Sequence, residues 1–435
     1  MLYWVLLLTV ISAAAASAQP AAPAARGRAF LDSLVKGDFG AAASMLDTDL
    51  AAKLPAAKLE LVWRAVEQQA GAYRQASDAR VETSGNNAVV FVTCEFERVK
   101  LDARIPVNQD GRISGLNFSQ HVDYTAPDYV KAGSFQEREV TVGSGEWALH
   151  GTLSMPAGEG PFPALVLLQG SGNTDRDSTL GPNKIFRDIA WGVASRGIAV
   201  LRYNKRSNEH REAIARLARF TVKEEIVDDA VSACALLRAT PGIDAKRIFV
   251  LGHSLGATVA PRVAQADPSI AGVVVLGGTT HSLLDVIVPQ MIHNYTMHGP
   301  MNDAQQRAVD QMSRQVARAK DPNLTDDAPH AEMPLGAAPS YWIDLRDYHP
   351  DQLARTLKQP MLIMQAERDY QVTMDDFAAW KKALEGRANV EFRSYPKLNH
   401  FFIEGEGVSS DEEYVQPGHV AARVVEDVAS WVKAH

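Results

Sequence analysis

Two cysteines in 435 residues are too few for a disulfide framework. Cys94 and Cys234 also fall in different segments of the chain, so each reads as a small buried hydrophobe. Positive charge is scarce as well. Lys and Arg total 44 against 52 Asp and Glu, a net charge of −8, which removes the electrostatic case for a nucleic-acid partner. The apolar run at residues 2–11 is short of the roughly 20 residues that a membrane span requires. No loop carries a phosphate signature. GSGNTDR (170–176) lacks both the Lys-Ser/Thr ending and GxGxxG spacing, so no nucleotide cofactor is expected. His281, His293 and His298 do not make up a ligand set, and no metal is expected either.

The start of the chain carries a signal of its own. Small residues follow the apolar run, and Ala16-Ser17-Ala18 fits the A-x-A cleavage pattern, with Gln19 as the first mature residue. Residues 1–18 are therefore read as a secretory signal peptide. This predicts a periplasmic or secreted protein with no integral membrane span after processing. No Lys or Arg precedes the apolar run, and an uncleaved N-terminal anchor is the alternative. Residues 19–27, QPAAPAARG, read as a Pro/Ala linker.

The length calls for two domains. Residues 28–125 read as two helices followed by strands. Phe30, Leu34 and Phe39 are near helical spacing, and Gly71 ends a second helix, LELVWRAVEQQAG. ARVETS, NAVVFVTCEFERVKLDARIPV and RISGLNFSQ read as strands, the first pair joined at Gly85-Asn86-Asn87. This is a small α+β domain in which no chemistry converges.

From residue 134 to 435 the pattern changes. EREVTVGSGEWALHGTLSMP reads as an antiparallel hairpin. PALVLLQG, GIAVLRYN, RIFVLGHS, AGVVVLGG and PMLIMQAE are then continuous apolar runs, as strands buried on both faces should be. Helical stretches separate them. The expected fold class is α/β, a mostly parallel doubly wound sheet. About 80 residues interrupt the rhythm between Gly278 and Pro360, and a helical cap is expected at about 280–350.

The chemistry centres on IFVLGHSLGA (248–257). A strand, the pattern Gly252-x-Ser254-x-Gly256 and a helix make the context of a nucleophile elbow. Both glycines must be small, because strand and helix pass close to each other there. A serine hydroxyl needs a base. Downstream, Asp369 lies just past the strand PMLIMQA, with Glu367 as its competitor, and His400 lies in the loop after VEFRSYP. His400 is the candidate general base and Asp369 the candidate acid. Leu255 and Ser171 are the candidate oxyanion donors, with Gly172 as the fallback for the second.

With those residues quoted, the C-terminal 300 residues resemble the α/β-hydrolase superfamily. More narrowly, QGSGNTDRD (169–177), GHSLGA and ERDYQV with NHFF resemble secreted bacterial esterases. The 28–125 block resembles the nuclear-transport-factor-like domain found in front of some of them. The resemblance implies a carboxylesterase-type serine hydrolase that needs no cofactor, acts on a small-molecule ester and uses Ser254, Asp369 and His400 as its triad. There are departures. Similar sequences read Arg-Tyr-Asp-Lys-Arg where this chain has Asn204, which puts in doubt a buried pairing with Arg202, Lys205 or Arg206. Many dienelactone-type hydrolases have cysteine at the elbow. Pro261 removes an N–H from the helix after the serine. Tyr341, Trp342 and the methionines of the cap line an acyl pocket or fill a core. Peptide, amide or thioester cleavage on the same triad, and a non-catalytic secreted binding protein, are the competing readings. Dimerisation, covering of the active-site mouth and binding of envelope components are the three roles open to the N-terminal block.

Overall fold

The structure, a computed structural model, describes residues 22–84, 87–121 and 123–435, in two compact units divided after His121. Residues 1–18, read from the sequence as a signal peptide, the first part of the expected linker and the turn residues Gly85 and Asn86 lie outside the described residues. The linker reading needs correction from residue 23 onward. Pro23–Val35 is a helix with proline at its start. Proline is suited to the first helical turn, where its missing N–H costs nothing, and the alanines after it favour helix.

The first unit continues with helices Phe39–Ser44, Thr48–Lys53 and Ala56–Ala70, the last capped by Gly71 at φ +87°. Its central strand, Asn87–Phe96, pairs on one edge with Tyr73–Ala76 and Arg80–Ser84. Its other edge pairs with Lys100–Val107, which in turn pairs with Asn117–Gln120. The single apolar stretch of residues 87–107 is thus two antiparallel strands. Val90, Val92, Cys94 and Phe96 face the helices, and the residues between them are partly open. That alternation is the mark of a sheet with one buried face.

In the second unit an eight-stranded sheet holds β1 (Phe135–Val142), β2 (Leu149–Pro156), β3 (Phe162–Leu168), β4 (Ala199–Tyr203), β5 (Ile243–His253), β6 (Gly272–Leu276), β7 (Met361–Ala366) and β8 (Val390–Tyr395). The order across the sheet is β8-β7-β6-β5-β3-β4-β2-β1. Pairing is parallel from β8 to β4, and β2 is antiparallel to both β4 and β1. Successive residues of the apolar runs enter opposite cores. Ala164, Val166, Leu168, Val250 and Val275 pack on one face, and Leu165, Leu167, Leu251 and Val274 on the other. Burial on both faces explains why these runs do not alternate.

Helices α1 (Ile185–Ala194) and α9 (Ala422–Ala434) cover one face. The other face is covered by α2 (Asp228–Arg238), α3 (Leu255–Ala266) and α8 (Met374–Ala383). Helices α4 (Leu283–Thr296), α5 (Asp303–Lys320), α6 (Pro339–Arg346) and α7 (Pro350–Thr356) form the cap between β6 and β7. Val316, Met333, Tyr341 and Trp342 of the cap join the same apolar cluster as α3 and the sheet. Pro261 does not break α3, which runs unbroken from Leu255 to Ala266.

Candidate active site

Strand β5 ends at His253, and α3 begins at Leu255. Ser254 makes the turn alone, at φ +55° and ψ −119°. A residue with a side chain is rarely found there, and such strain costs on the order of 1–3 kcal/mol. Close packing enforces the turn. A Cβ on Gly252 would overlap the backbone of Gly256, and one on Gly256 would overlap the carbonyl of Leu168 on β3. Both glycines are therefore required by contact between strand and helix. Leu255 opens the helix, so its N–H has no partner in a preceding turn.

Asp369 follows the end of β7, and His400 lies in the turn after β8. The two are joined, His400 Nδ1 to Asp369 Oδ2 at 2.6 Å, and both are buried. The other carboxylate oxygen accepts the N–H groups of Gln371 at 2.8 Å and Val372 at 3.0 Å. Asp369 is thus held as an acceptor on every side. Glu367, the competing acid, is exposed, and its backbone N–H is bonded to the carbonyl of Tyr395. Gly277 passes beside Asp369 and His400 with φ +62°, a left-handed backbone that favours glycine.

His253 brings the serine turn and the histidine turn together. Its Nε2 meets the carbonyl oxygen of His400 at 2.9 Å, and the two rings lie 4.8 Å apart. Burial, and His400 beside it, hold its imidazole down at about 3, so it is neutral. No hydrogen bond joins Ser254 Oγ to His400 among the described residues; in free enzymes this contact is commonly long and tightens around substrate. The His400 turn is itself held by Asn399, whose side chain accepts from Phe401 N at 3.0 Å and Ile403 N at 3.2 Å.

Ser171 and Gly172 lie in the turn after β3, and neither N–H makes a backbone hydrogen bond among the described residues. Gly170 sits against Ser254, where a Cβ would stand 3.2 Å from Ser254 Cβ. Ser171, Gly172, Ser254 and Leu255 line one cavity of about 650 Å³. The cap supplies much of its wall, through Leu283, Ile287, Met291, Met312, Tyr341 and Trp342.

Asn204 leaves no cation unpaired. Arg202 bonds Asp177 at 2.8 Å and Glu137 at 2.6 Å, Lys205 meets Glu225 at 3.3 Å, and Arg206 reaches Asp229. Asn204 itself accepts from Arg176 N at 3.0 Å and donates to Glu209 at 2.7 Å. Both cysteines are free and buried, with burial raising each thiol to about 12.

The sequence carried no reading of His253, Asn399 or Gly277, and it named Lys205 only as a cation that had lost a partner. His253 occupies the variable position of the elbow, and its role depends on which loop folds against it. Glu225, also unread, sits in a single π-helical turn, Lys223–Val227. Such turns are rare and often functional.

Residues 165–416 match the profile of the alpha/beta hydrolase family, more than half of the chain. The chain belongs to that family. Esterase EstD of Thermotoga maritima is 35% identical over 405 residues, 93% of each chain. Esterase FrsA of Klebsiella pneumoniae is 29% identical over 153 residues, 35% of this chain and 34% of that protein. Among solved structures, an esterase of Pyrococcus furiosus aligns at 15% identity and TM-score 0.45, over 73% of this chain and 97% of its own. Residues 28–116 match DUF3887, a protein family of unknown function. Among the described residues no group of three His, Cys, Asp or Glu could hold a metal ion, and no helix is long and apolar enough to cross a membrane.

Proposed function

We propose that Ser254, His400 and Asp369 perform the reaction of this carboxylesterase-type hydrolase, on carboxylic esters of small molecules and through an acyl-enzyme. The observation that carries the reading is the strained Ser254 opening into the capped cavity, with a buried Asp369–His400 pair past the ends of β7 and β8. His400 takes the proton of Ser254 as Oγ attacks the ester carbonyl. Asp369 holds the ring with Nε2 free for that proton and stabilises the imidazolium. The N–H groups of Leu255 and Ser171 receive the developing oxyanion. His400 returns the proton to the leaving alkoxide, which departs as an alcohol. Water then repeats the cycle on the acyl-serine and releases the acid. Esterase EstD, alike over nearly the full length, supports ester as the substrate class.

The largely apolar cap wall favours an apolar acyl or alkyl group. Turnover of short-chain p-nitrophenyl esters tests the reading: Ser254→Ala should lower kcat by a factor on the order of 10⁶. A variant with wild-type turnover would sink it. Residues 1–18 carry the further reading that the enzyme is exported. Amino-terminal sequencing of the mature protein checks this, and a start at Gln19 is expected. Dimerisation through the 28–125 block is a proposal tested by the mass of the full chain in solution.

A further inference from the structure

One buried cation is used by neither the triad nor the core. Lys205 Nζ is 2.8 Å from the carbonyl of Gly170, 3.3 Å from the carbonyl of Gly172 and 3.3 Å from Glu225 Oε1. Two backbone carbonyls accept hydrogen bonds from this ammonium, and Glu225 is its ion-pair partner. Glu225 takes a second bond at its other oxygen, from the hydroxyl of Tyr341 on cap helix α6 at 2.9 Å. All three side chains are buried, and Glu225 and Tyr341 also line the cavity. Burial, with Glu225 beside it, pushes the Tyr341 phenol well above its ordinary value, so it remains a donor.

Peptide geometry turns these contacts into a statement about catalysis. In a planar trans peptide the C=O of one residue and the N–H of the next point in opposite directions. Drawing the Gly170 carbonyl toward Lys205 therefore turns the Ser171 N–H away from it. Gly170 lies against Ser254, and Ser171 lines the same cavity. The Gly172 carbonyl, held by the same ammonium, orients the N–H of Asn173 rather than that of Gly172. This selects Ser171 over Gly172 as the second oxyanion donor.

We propose that Lys205 is a positioning residue for the oxyanion hole, and that the cap is coupled to that hole through Tyr341 and Glu225. The proposal rests on the serine-esterase reading above. When the cap is seated, Tyr341 and Lys205 share Glu225, and Lys205 holds the Ser171 N–H in place. When α6 withdraws, Glu225 loses a donor inside a buried site, and the hold of Lys205 on the loop is altered. A closed cap thereby favours a formed oxyanion hole.

The test uses the full-length enzyme, a short p-nitrophenyl ester, and a trifluoromethyl ketone that adds to the serine as a hemiketal oxyanion. Lys205→Met with Glu225→Gln removes both charges, so no lone ion stays buried. That double variant should lose about 100-fold in kcat, the scale of one oxyanion donor, with KM within about threefold of wild type. Its Ki for the ketone should rise by the factor that kcat/KM falls, because the ketone resembles the transition state. Tyr341→Phe should move kcat and Ki in the same direction by about tenfold or less. A folded double variant with kcat within threefold, or with lost activity and unchanged Ki, overturns the proposal. Wild-type kcat and Ki in Tyr341→Phe overturn the coupling to the cap, and this variant decides the matter if the double variant does not fold. Ser254→Ala in parallel separates the two readings: turnover there refutes the triad, whereas a dead Ser254→Ala beside a wild-type-like Lys205 variant refutes this proposal alone.

Discussion

The two units bury different things. Among the described residues every buried Ser, Thr, Asn, Gln, Asp, Glu, Lys, Arg or His lies at Thr152 or beyond, in the second unit. Among the described residues the first unit buries only apolar side chains and glycine. Its nearest approach to a polar cluster, Asp102 with Thr93 at 2.7 Å and His121 at 2.9 Å, is only half-buried on the sheet. Burying a polar group costs free energy unless its hydrogen bonds are met. The second unit bears that cost at many places, among them the residues past the ends of β3, β4, β6, β7 and β8, such as Gln169, Lys205, Thr279, Asp369 and His400. The difference separates a unit built for stability from one that also holds a reaction in place.

The first way to break the comparison is to spoil one of those buried partnerships without changing shape. Asp369→Asn keeps the volume and can still accept from Gln371 and Val372. Its amide nitrogen, however, offers a donor where Nδ1 of His400 needs an acceptor. The expected loss in kcat is about 10⁴-fold, as for other serine hydrolases whose histidine is left in the wrong tautomer. Ester turnover across pH checks it, with circular dichroism to establish that the variant is folded. A loss of less than tenfold would mean that another group orients His400.

What the sequence made legible follows from how local each signal is. The strands of the second unit were plain because burial on both faces writes an uninterrupted apolar run, as in Val273, Val274 and Val275. The elbow was plain because both glycines stand within two residues of Ser254 in the sequence, although Gly252 answers a local contact with Gly256 and Gly256 answers one with Leu168 on β3. Asp369 and His400 follow from chain order at strand ends. Lys205 and Glu225 were not legible as a pair, since 20 residues and a π-helical turn separate them and only the folded loop brings them together. His253 was hidden for the same reason: its partner is a carbonyl 147 residues away. The helix at Pro23–Val35 was misread over its first residues because Pro and Ala together look like a linker, whereas Pro at a helix start followed by Ala is also a good beginning for a helix.

A second test works from the other side and disturbs the first unit. Trp63 is buried among Tyr73, Phe96 and Phe118, with ring centroids about 6 Å away. Trp63→Ala should destabilise that unit by about 3–5 kcal/mol, the usual cost of emptying a large aromatic site. Ester kcat measured well below the shifted melting transition should be unchanged, since every proposed triad and oxyanion residue lies at Ser171 or beyond. A fall in kcat there would show that the first unit takes part in turnover.

The smallest expected effect concerns His253, and its sign can be fixed in advance. Burial keeps the folded imidazole neutral, with its value lowered from the ordinary 6.5 to about 3. In the unfolded chain the same ring takes up a proton near 6.5. Between those values the unfolded state binds one proton more than the folded state, so stability rises with pH across that window. The contribution is fully present above about 6.5 and is lost as pH falls toward about 3. His253→Gln keeps a donor for the carbonyl of His400 and removes the titration. Its unfolding free energy, from urea melts at a series of pH values, should therefore fall less steeply on the acid side than that of the wild type. Equal acid slopes would mean that His253 already accepts a proton in the folded enzyme. The contact at 2.9 Å with the His400 carbonyl would then be made by a charged ring, and the turn would carry a cation beside Ser254.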